Sequence, residues 1–264
     1  MTEAQRTRTA FFAMVHRDLL VQWRDRWEFV FRVAMLPFIL ILTYGFMLPR
    51  VGILPESFPT HMFCGMVGMS MVITGIHGTA VPTSMDFHNL REIEDRLLAP
   101  VSTRTVAIAK MTVGVLESFI GGLIVLPISL IFMGSSISLE LAPHGVLLLI
   151  LVLILTALLS AALGLLVGTI VKPSQVAAMF PGFLMPVVFL GGIFYTWKQF
   201  SPLPVMQVVT LIDPLTWVNE ALRAVMTVQV ESLPLALTIP GIIVWIAVPG
   251  FFAFRRFDRM VYSH

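Results

Sequence analysis

Six long stretches of mostly apolar residues limit what this chain can fold into. A helix needs about 20 consecutive apolar residues to cross a bilayer, and it must pair its own backbone N–H and C=O groups because lipid offers them no partner. We place the predicted spans at about Phe29–Leu48, His61–Pro82, Val106–Met133, Val146–Val171, Val176–Tyr195 and Leu235–Phe254. Charged residues are 12% of the sequence, too few to cover a soluble domain of this length. The sequence therefore predicts an all-α integral membrane protein, with residues 1–264 forming one transmembrane domain.

The positions of Lys and Arg predict the orientation of these spans. Of the 17 Lys and Arg residues, only Arg50, Lys198 and Arg223 fall on one side of a six-span chain. Cytoplasmic loops carry an excess of Lys and Arg, so the side that holds all the others is predicted to be cytoplasmic. Both termini and the loop at residues 84–104 are then cytoplasmic, and residues 197–234 are extracytoplasmic.

Residues 1–27 are polar overall but carry apolar residues at helical spacing. One predicted stripe consists of Phe11, Met14, Val15, Leu19 and Trp23. Arg17 and Asp18 are predicted to lie outside that stripe. A helix of this kind lies in the membrane interface, with Arg reaching toward water and Trp at headgroup depth. We therefore predict a cytoplasmic interfacial helix, and the alternative is a solvated leader that only orients the chain.

Small residues recur every four positions in three of the spans. They are Ser70, Thr74 and Gly78 in the second span, Gly114, Ser118 and Gly122 in the third, and Ser160, Gly164 and Gly168 in the fourth. Small residues at this spacing let helix backbones approach one another closely in a bilayer. The spans are therefore predicted to pack as a bundle.

Residues 197–234 do not fit either a loop or a span. The segment contains Pro202, Pro204 and Pro214, yet it is apolar from Val205 to Ile212. Irregular backbone at membrane depth is tolerated only where protein or water covers it. We therefore predict a re-entrant helical hairpin before the last span, and the alternative is an interfacial hairpin that never enters the membrane core.

Residues 91–104 are the one internal block that is dense in both signs of charge. Acidic residues come first, then Arg96 and the apolar pair Leu97 and Leu98, and Pro100 stops the pattern. This order fits a short amphipathic helix that ends before a proline. Because charges are costly in lipid, the block must lie in water. It is predicted to touch a cytoplasmic partner, and the alternative is a solvated loop.

Motifs for catalysis, nucleotide binding and metal binding are absent from the sequence. There is no Gly-x-x-x-x-Gly-Lys-Ser/Thr loop, no Gly-x-Ser-x-Gly elbow and no His-Glu-x-x-His. The six histidines are scattered without metal-ligand spacing. The net charge of +2 and the lack of a long basic tract do not support nucleic-acid binding. We therefore predict no enzymatic activity, no bound metal or cofactor and no nucleic-acid partner for this chain.

Two marks give the sequence its resemblance to a known family. The first is Glu92–Lys110, which contains Leu97-Leu98-Ala99-Pro100-Val101-Ser102. The second combines Gly191-Gly192-Ile193-Phe194, Leu203-Pro204, Asp213-Pro214-Leu215-Thr216-Trp217 and Glu220-Ala221-Leu222-Arg223. With these marks the chain resembles, over nearly its whole length, the membrane subunit of ABC-2 type exporters. It departs from many members at Ile93-Glu94-Asp95, where they carry Gly-Thr or Lys.

The resemblance implies a permease subunit in the cytoplasmic (inner) membrane of a bacterium. It implies a dimer with a second copy or a paralogue, in contact with membrane lipid. Two copies of a separate P-loop ATP-binding subunit would hold the ATP and Mg²⁺. The implied substrate is amphipathic and moves outward, as a drug, a lipid or a lipid-linked glycan would.

The resemblance also assigns the site residues. The charged block looks like a coupling helix that docks on the ATP-binding subunit through Glu92, Asp95, Arg96, Leu97, Leu98 and Pro100. The segment that carries Pro204, Asp213 and Pro214 would form an outer gate. Flexible Met and flat aromatic side chains suit a cavity for varied amphipathic molecules. The candidates for this translocation path are Met66, Met69, Glu117, Phe183 and Phe189, and the alternative for the Met and Phe residues is that they only pack the core or face lipid.

Glu117 is an acidic residue inside the third predicted span, where a lone carboxylate is costly. It either faces the bundle interior and pairs with a polar group such as Arg32, or lies near enough to the cytoplasm to be wetted. Two other functions stay open at this point. One is a membrane enzyme that uses Glu117 with His77 or His88, and the other is a passive anchor for a cytoplasmic partner.

Overall fold

The structure is a computed structural model, and it describes residues 3–88, 102–142, 144–175, 182 and 184–262. Its main helices are α1 (Glu3–Arg24), α2 (Arg26–Leu40), α3 (Phe58–His88), α4 (Thr103–Met133), α5 (Gly145–Gly168), α6 (Met185–Leu190), α7 (Pro204–Leu211), α8 (Pro214–Met226) and α9 (Leu235–Tyr262). Helix α2 continues as a π-helical turn, Ile41–Met47, and ends at Arg50. Within these residues the only extended pairing is an isolated bridge between Glu140 and Thr227. The predicted all-α class is confirmed.

Five helical segments are long and apolar enough to cross a membrane. They are Arg26–Arg50, Phe58–Phe87, Thr103–Ser136, Gly145–Gly168 and Leu235–Met260. These segments coincide with predicted spans one to four and six. Much of predicted span five falls on residues 176–181 and 183, which lie outside the described residues. The rest of it contains α6, which ends at Leu190, so the count of six spans stays a prediction.

Helix α1 packs against α4 and is separated from α2 by a turn at Asp25. The half-buried stripe of α1 consists of Thr7, Ala10, Phe11, Met14, Val15, Asp18, Leu19 and Gln22. The helix and most of its stripe agree with the prediction, but two residues are placed differently. Trp23 is 68% exposed. Asp18 lies on the packed face, because Lys110 of α4 offers it a partner there. The position of α1 in the membrane interface stays a prediction.

Helix α3 is the centre of the bundle. Of its most apolar 18 residues 83% are buried, against 22% to 44% in the other four spans. It packs against α4, α5 and α8. Ser70 Oγ donates to the carbonyl oxygen of Gly121 at 2.9 Å. A Cβ atom added to Gly164 would lie 2.7 Å from the carbonyl oxygen of Ile76. The predicted stripes of small residues are therefore the surfaces along which these helices meet.

The segment 197–234 contains the short helices α7 and α8. Pro204 and Pro214 each stand in the first turn of a helix, where the missing N–H is not needed. Asp213 caps α8, since its Oδ1 accepts a hydrogen bond from Leu215 N at 2.8 Å. Helix α8 is buried against α3, α5 and α9. The depth of this segment in the membrane stays a prediction.

We expect Gly164→Ala to destabilise the bundle, because its Cβ would press on the backbone of α3. Overpacking of this kind typically costs about 1–3 kcal/mol, so the midpoint of thermal unfolding of the purified protein should fall. Gly250→Ala on α9 is the matched control, because the atom nearest to its added Cβ is 3.9 Å away. Equal midpoints for the two variants would contradict close packing at Gly164.

Candidate functional site

Helix α8 carries a salt bridge that is completely buried. Glu220 and Arg223 are both 0% exposed, and Arg223 Nη1 lies 3.1 Å from Glu220 Oε1. Residues three apart lie on one face of a helix, and the cap at Asp213 fixes where this helix begins. A buried ion pair is tolerated only if its remaining donors and acceptors are also satisfied. The role of this ion pair therefore depends on which groups bind the remaining donors of Arg223 and the remaining acceptors of Glu220.

The remaining donors of Arg223 reach backbone carbonyls of two other segments. Its Nε donates to the carbonyl oxygen of His61 at 3.2 Å. Its Nη2 donates to the carbonyl oxygen of Ile193 at 3.1 Å and also to that of Gly192. Gly192 has a φ of +69°, a backbone conformation that glycine adopts without strain. Arg223 thus joins α8 to the start of α3 and to the turn that follows α6.

Glu220 and its neighbour Asn219 satisfy backbone groups around α8. Glu220 accepts hydrogen bonds from Trp197 N at 3.0 Å and from Leu233 N at 2.7 Å. The side-chain amide of Asn219 donates to the carbonyl oxygen of Gly191 at 2.7 Å. We call Asn219, Glu220 and Arg223 the α8 network. It fastens the short helices of this end to the bundle and to the segment that leads into α9.

A second buried group of charges lies at the other end of α3. Lys110 Nζ is 2.9 Å from Asp18 Oδ2 and 2.9 Å from Asp86 Oδ2. The three side chains are only 4%, 10% and 5% exposed, respectively. Lys110 lies on α4, Asp18 on α1 and Asp86 in the last turn of α3. This ion triad therefore connects α1 to both helices that flank residues 89–101.

Glu117 lies about two helical turns beyond Lys110 on α4 and is 1% exposed. Helix α3 leaves room for its carboxylate at Gly78, where any Cβ would overlap it. Neither carboxylate oxygen makes a hydrogen bond of full geometry within the described residues, although the side-chain amide of Gln22 on α1 approaches as a donor. Arg32 acts on the carboxylate electrostatically, but it is exposed and forms no ion pair with it. The carboxylate is thus buried, and the candidate ion pair with Arg32 is not formed; access of water to Glu117 through the adjoining crevice stays a prediction.

A polar recess of about 730 Å³ opens beside the α8 network. Residues that line it include Arg50, Glu56, Thr60, His61, Ser136 and Gln229. Thr60 Oγ1 donates to the carbonyl oxygen of Ser136 at 3.1 Å, which ties the start of α3 to the turn after α4. With hydroxyl and charged side chains along its wall, this recess suits water or a polar group.

Residues 9–227 match the family model described as ABC-2 type transporter. The chain belongs to the ABC-2 type transporter family. No curated protein matches the sequence. Proteins of this family are membrane permeases that generally work with an ATP-binding subunit. Together with its candidate spans, membership makes the chain a subunit of a multi-pass membrane transporter.

The predicted coupling residues of the permease lie outside the described residues: Glu92, Asp95, Arg96, Leu97, Leu98 and Pro100. The segments on both sides of them are described, and both contact α9. Thr103 Oγ1 donates to Asp258 Oδ1 at 2.6 Å. The ring of Phe87 packs edge to face on that of Phe257, with centroids 5.0 Å apart. Both ends of the loop are thus fixed to the C-terminal part of α9.

The predicted path residues are dispersed through the permease. Met66 and Met69 are 0% exposed on α3, inside the hydrophobic core. Phe189 on α6 is 51% exposed. Phe183 lies outside the described residues. Glu117 lies against Gly78 of α3 and lines the crevice beside α1, so the described path residues do not share one cavity.

The histidine that the enzyme hypothesis requires does not share a cavity with Glu117. His77 lines a small cavity of about 40 Å³ together with Arg32 and Met69. Glu117 lines a separate crevice on the α1 side. The side chain of His88 lies outside the described residues. This arrangement gives the enzyme hypothesis no common site for Glu117 and His77.

The predicted outer-gate residues mark helix starts. Pro204 is exposed at the start of α7. Asp213 is 7% exposed and Pro214 is buried, and together they begin the helix that carries the α8 network. Their structural role is therefore to set the position of that network, and a gating role stays a proposal.

Sequence reasoning missed the two aspartates of the ion triad. Asp86 stands just beyond an apolar span and Asp18 in an amphipathic helix, and neither sits in a recognisable motif. One feature of the sequence does point to them. A charged residue next to an apolar segment is costly without a partner, so both aspartates are expected to be paired. The sequence does not say which of the many basic residues is that partner.

We expect Arg223→Met to destabilise the permease strongly. The substitution leaves Glu220 buried without its counter-charge, and removing one partner of a buried ion pair costs about 3–5 kcal/mol. Thermal unfolding of the purified protein measures the effect. Lys198→Met is the matched control, because Lys198 and Glu231 form an exposed pair, 46% and 79% exposed. Exposed pairs contribute about 0–1 kcal/mol, so a similar loss for both variants would contradict the assignment.

We expect Lys110→Met to loosen α1 from the bundle. It removes the cation that Asp18 and Asp86 share, so two like charges face each other. Trypsin should then cleave faster at Arg17 and Arg24 of α1. Adding Asp18→Asn and Asp86→Asn to Lys110→Met should restore part of the protection, since no charge repulsion remains.

The control for this experiment is Lys172→Met, because Lys172 is exposed. This variant should keep the cleavage rate of the unmodified protein. An unchanged rate for Lys110→Met would show that the ion triad does not hold α1 in place.

Proposed function

We propose that this chain forms the translocation path of an ABC exporter in the bacterial cytoplasmic membrane. It moves an amphipathic substrate outward, and the energy comes from ATP hydrolysis on a separate P-loop subunit. The observation that carries the proposal is the family match over residues 9–227, combined with the placement of the two helices that flank residues 89–101. Those helices, α3 and α4, form the most closely packed pair of the bundle.

The packing of α3 and α4 supports a role for residues 89–101 in coupling. The two helices meet through Gly78, Gly114 and Gly121, and helices in such close contact move together. A force on the loop between them therefore reaches the centre of the bundle. In this proposal Leu97 and Leu98 dock in a groove of the ATP-binding subunit, while the neighbouring charges set the register of docking.

The ion triad and α9 transmit the same displacement to the rest of the permease. Lys110 links α4 to α1, and Thr103 links the start of α4 to Asp258 of α9. The opposite end of α3 is attached through His61 to the α8 network. A shift of the loop would thus reach both the interfacial helix and the proposed outer gate at Pro204, Asp213 and Pro214.

The proposed assembly contains two permease chains and two ATP-binding subunits. The second permease chain is another copy of this one or a paralogue. The ATP and Mg²⁺ reside on the partner subunits. Both termini and the coupling loop face the cytoplasm, as the distribution of Lys and Arg favours. The proposed path includes Met66, Met69, Glu117, Phe183 and Phe189.

ATP hydrolysis by the purified complex tests this function. The permease is purified with the P-loop subunit that it retains, and hydrolysis is compared with that of the Leu97→Asp, Leu98→Asp variant. Charged residues in an apolar docking groove are costly, so both retention and hydrolysis should fall at least tenfold. The matched control is Leu139→Asp with Leu141→Asp, an exposed apolar pair in the α4–α5 loop, 45% and 49% exposed.

Loss of the ATP-binding subunit only in the Leu97 and Leu98 variant would support coupling through this loop. If no P-loop subunit is retained, or if both variants behave like the unmodified permease, the exporter proposal is wrong. Retention of the subunit without any hydrolysis would instead favour a passive anchor.

A further inference from the structure

A crevice of about 390 Å³ lies between α1, α2 and α4. Its wall is apolar and is formed by Leu19, Leu20, Phe29, Val30 and Ile120. Several of these side chains are also exposed on the surface of the bundle, so the crevice opens sideways. Pockets of about 300–1,000 Å³ are typical of sites for small organic ligands. Its size and wall suit an apolar body that enters from the membrane side.

The buried end of this crevice carries one carboxylate, that of Glu117. The residue is 1% exposed, and no cation of the described residues forms an ion pair with it. The side-chain amide of Gln22 on α1 approaches it as a neutral donor, outside the geometry of a full hydrogen bond. A buried carboxylate is costly unless its charge is paired, so this position favours a ligand that supplies a positive charge and further donors.

Lys110, Asp86, Glu220 and Arg223 are buried and form ion pairs, and this contrast distinguishes Glu117. Asp213 is also buried without an ion pair, but its Oδ1 accepts a hydrogen bond from Leu215 N. Lys110 is held by Asp18 and Asp86, and Arg223 is held by Glu220. These two cations are therefore not available to neutralise Glu117. Its carboxylate lies against Gly78 of α3 and borders the apolar crevice, and neither of these cations pairs with it.

The basic side chains around the crevice lie toward its rim. His16 and Arg26 border it and are exposed, and the Arg26 guanidinium lies 5.6 Å from the centre of the Trp23 ring. Arg32 acts on Glu117 from the side of α2 and is also exposed. Charges in contact with water are screened much more than a buried one. The buried end of the crevice is therefore the place where a positive group is favoured.

We propose that this crevice binds an amphipathic cation, with its ammonium group against Glu117 and its apolar body between α1 and α4. The ammonium donates hydrogen bonds to the two carboxylate oxygens. This inference rests on the proposed function for the view that the substrate is amphipathic, and it narrows the substrate to a lipophilic amine. The ammonium could belong to a free lipophilic amine or to the headgroup of an ethanolamine phospholipid, which share this chemistry.

Binding of a fluorescent lipophilic amine to the permease alone tests the proposal. The probe is dansylcadaverine, and the permease is held in nanodiscs of phosphatidylcholine and phosphatidylglycerol, which contain no primary amine. The unmodified permease should bind the probe saturably, and Glu117→Gln should weaken binding at least tenfold. N-pentyl dansylamide, which lacks the amine, should bind weakly and equally to both proteins.

Two further variants separate the site from the fold. Glu28→Gln is the matched control, because Glu28 lies in the first turn of α2 and borders the neighbouring polar cavity instead of the crevice. It should bind the amine as the unmodified permease does. Val30→Trp fills the crevice without altering the carboxylate, and it should also weaken binding at least tenfold.

Thermal unfolding without the probe provides a readout that a purely structural Glu117 would not give. If Glu117 only supports the fold, Glu117→Gln lowers the midpoint. If Glu117 instead serves to bind a ligand, neutralising its unpaired carboxylate leaves the midpoint of thermal unfolding unchanged or raises it. Added phosphatidylethanolamine that displaces the probe would identify the lipid headgroup as the source of the ammonium. A lack of displacement would identify a free amine.

Equal binding of the amine by the unmodified permease and by Glu117→Gln would overturn the proposal, as would tight binding of the neutral probe. This experiment needs no ATP-binding subunit. If the amine does not bind but ATP hydrolysis depends on Leu97 and Leu98, the amine site is wrong and the exporter proposal stands. If the amine binds through Glu117 but no ATP-binding subunit is retained, the exporter proposal is wrong and the amine site stands.

Discussion

The close approach of α3 to α4 and α5 is the contact on which the rest of this permease depends. Lipid competes for apolar side chains as well as another helix does, so helices in a bilayer associate through tight packing and polar contacts rather than through hydrophobic burial. Gly78, Gly121 and Gly164 supply that packing, because each leaves no room for a Cβ atom beside the neighbouring helix. With α3 held at the centre, the shorter helices and α1 have a fixed surface to dock on.

Charges are placed around this packed centre in three different ways. The α8 network and the ion triad lie at opposite ends of α3, and the charges within each group are paired. Each group can therefore hold neighbouring segments without leaving an uncompensated buried charge. Glu117 lies between them along α4 and has no such partner within the described residues. Paired charges of this kind fix the architecture, whereas an unpaired one at the end of a crevice suits a ligand.

This arrangement gives the family's mechanism a physical route through the molecule. The helices that flank the proposed coupling loop are also those that carry the ion triad, the crevice carboxylate and the attachment of the α8 network. In the proposed mechanism, a displacement at one end of α3 would change the surroundings of Glu117 and reach His61, whose carbonyl oxygen binds Arg223, at the other end. Interfaces packed this tightly tend to shift between discrete arrangements rather than deform gradually.

The sequence by itself determined the helical class, the membrane location, five of the spans and the stripes of small residues. These follow from apolar run length and spacing, which are local properties of the chain. Only the tertiary structure decided which charges meet. Lys110 pairs with Asp18 from 92 positions earlier in the chain and with Asp86 from the preceding helix, and the side chain of Arg223 finds carbonyls on two other segments. The same holds for Glu117, whose burial and lack of a partner depend on Gly78 and α1. The sequence does not distinguish a charged residue that faces water from one that forms an ion pair. Ion pairing is therefore determined only when distant segments pack together.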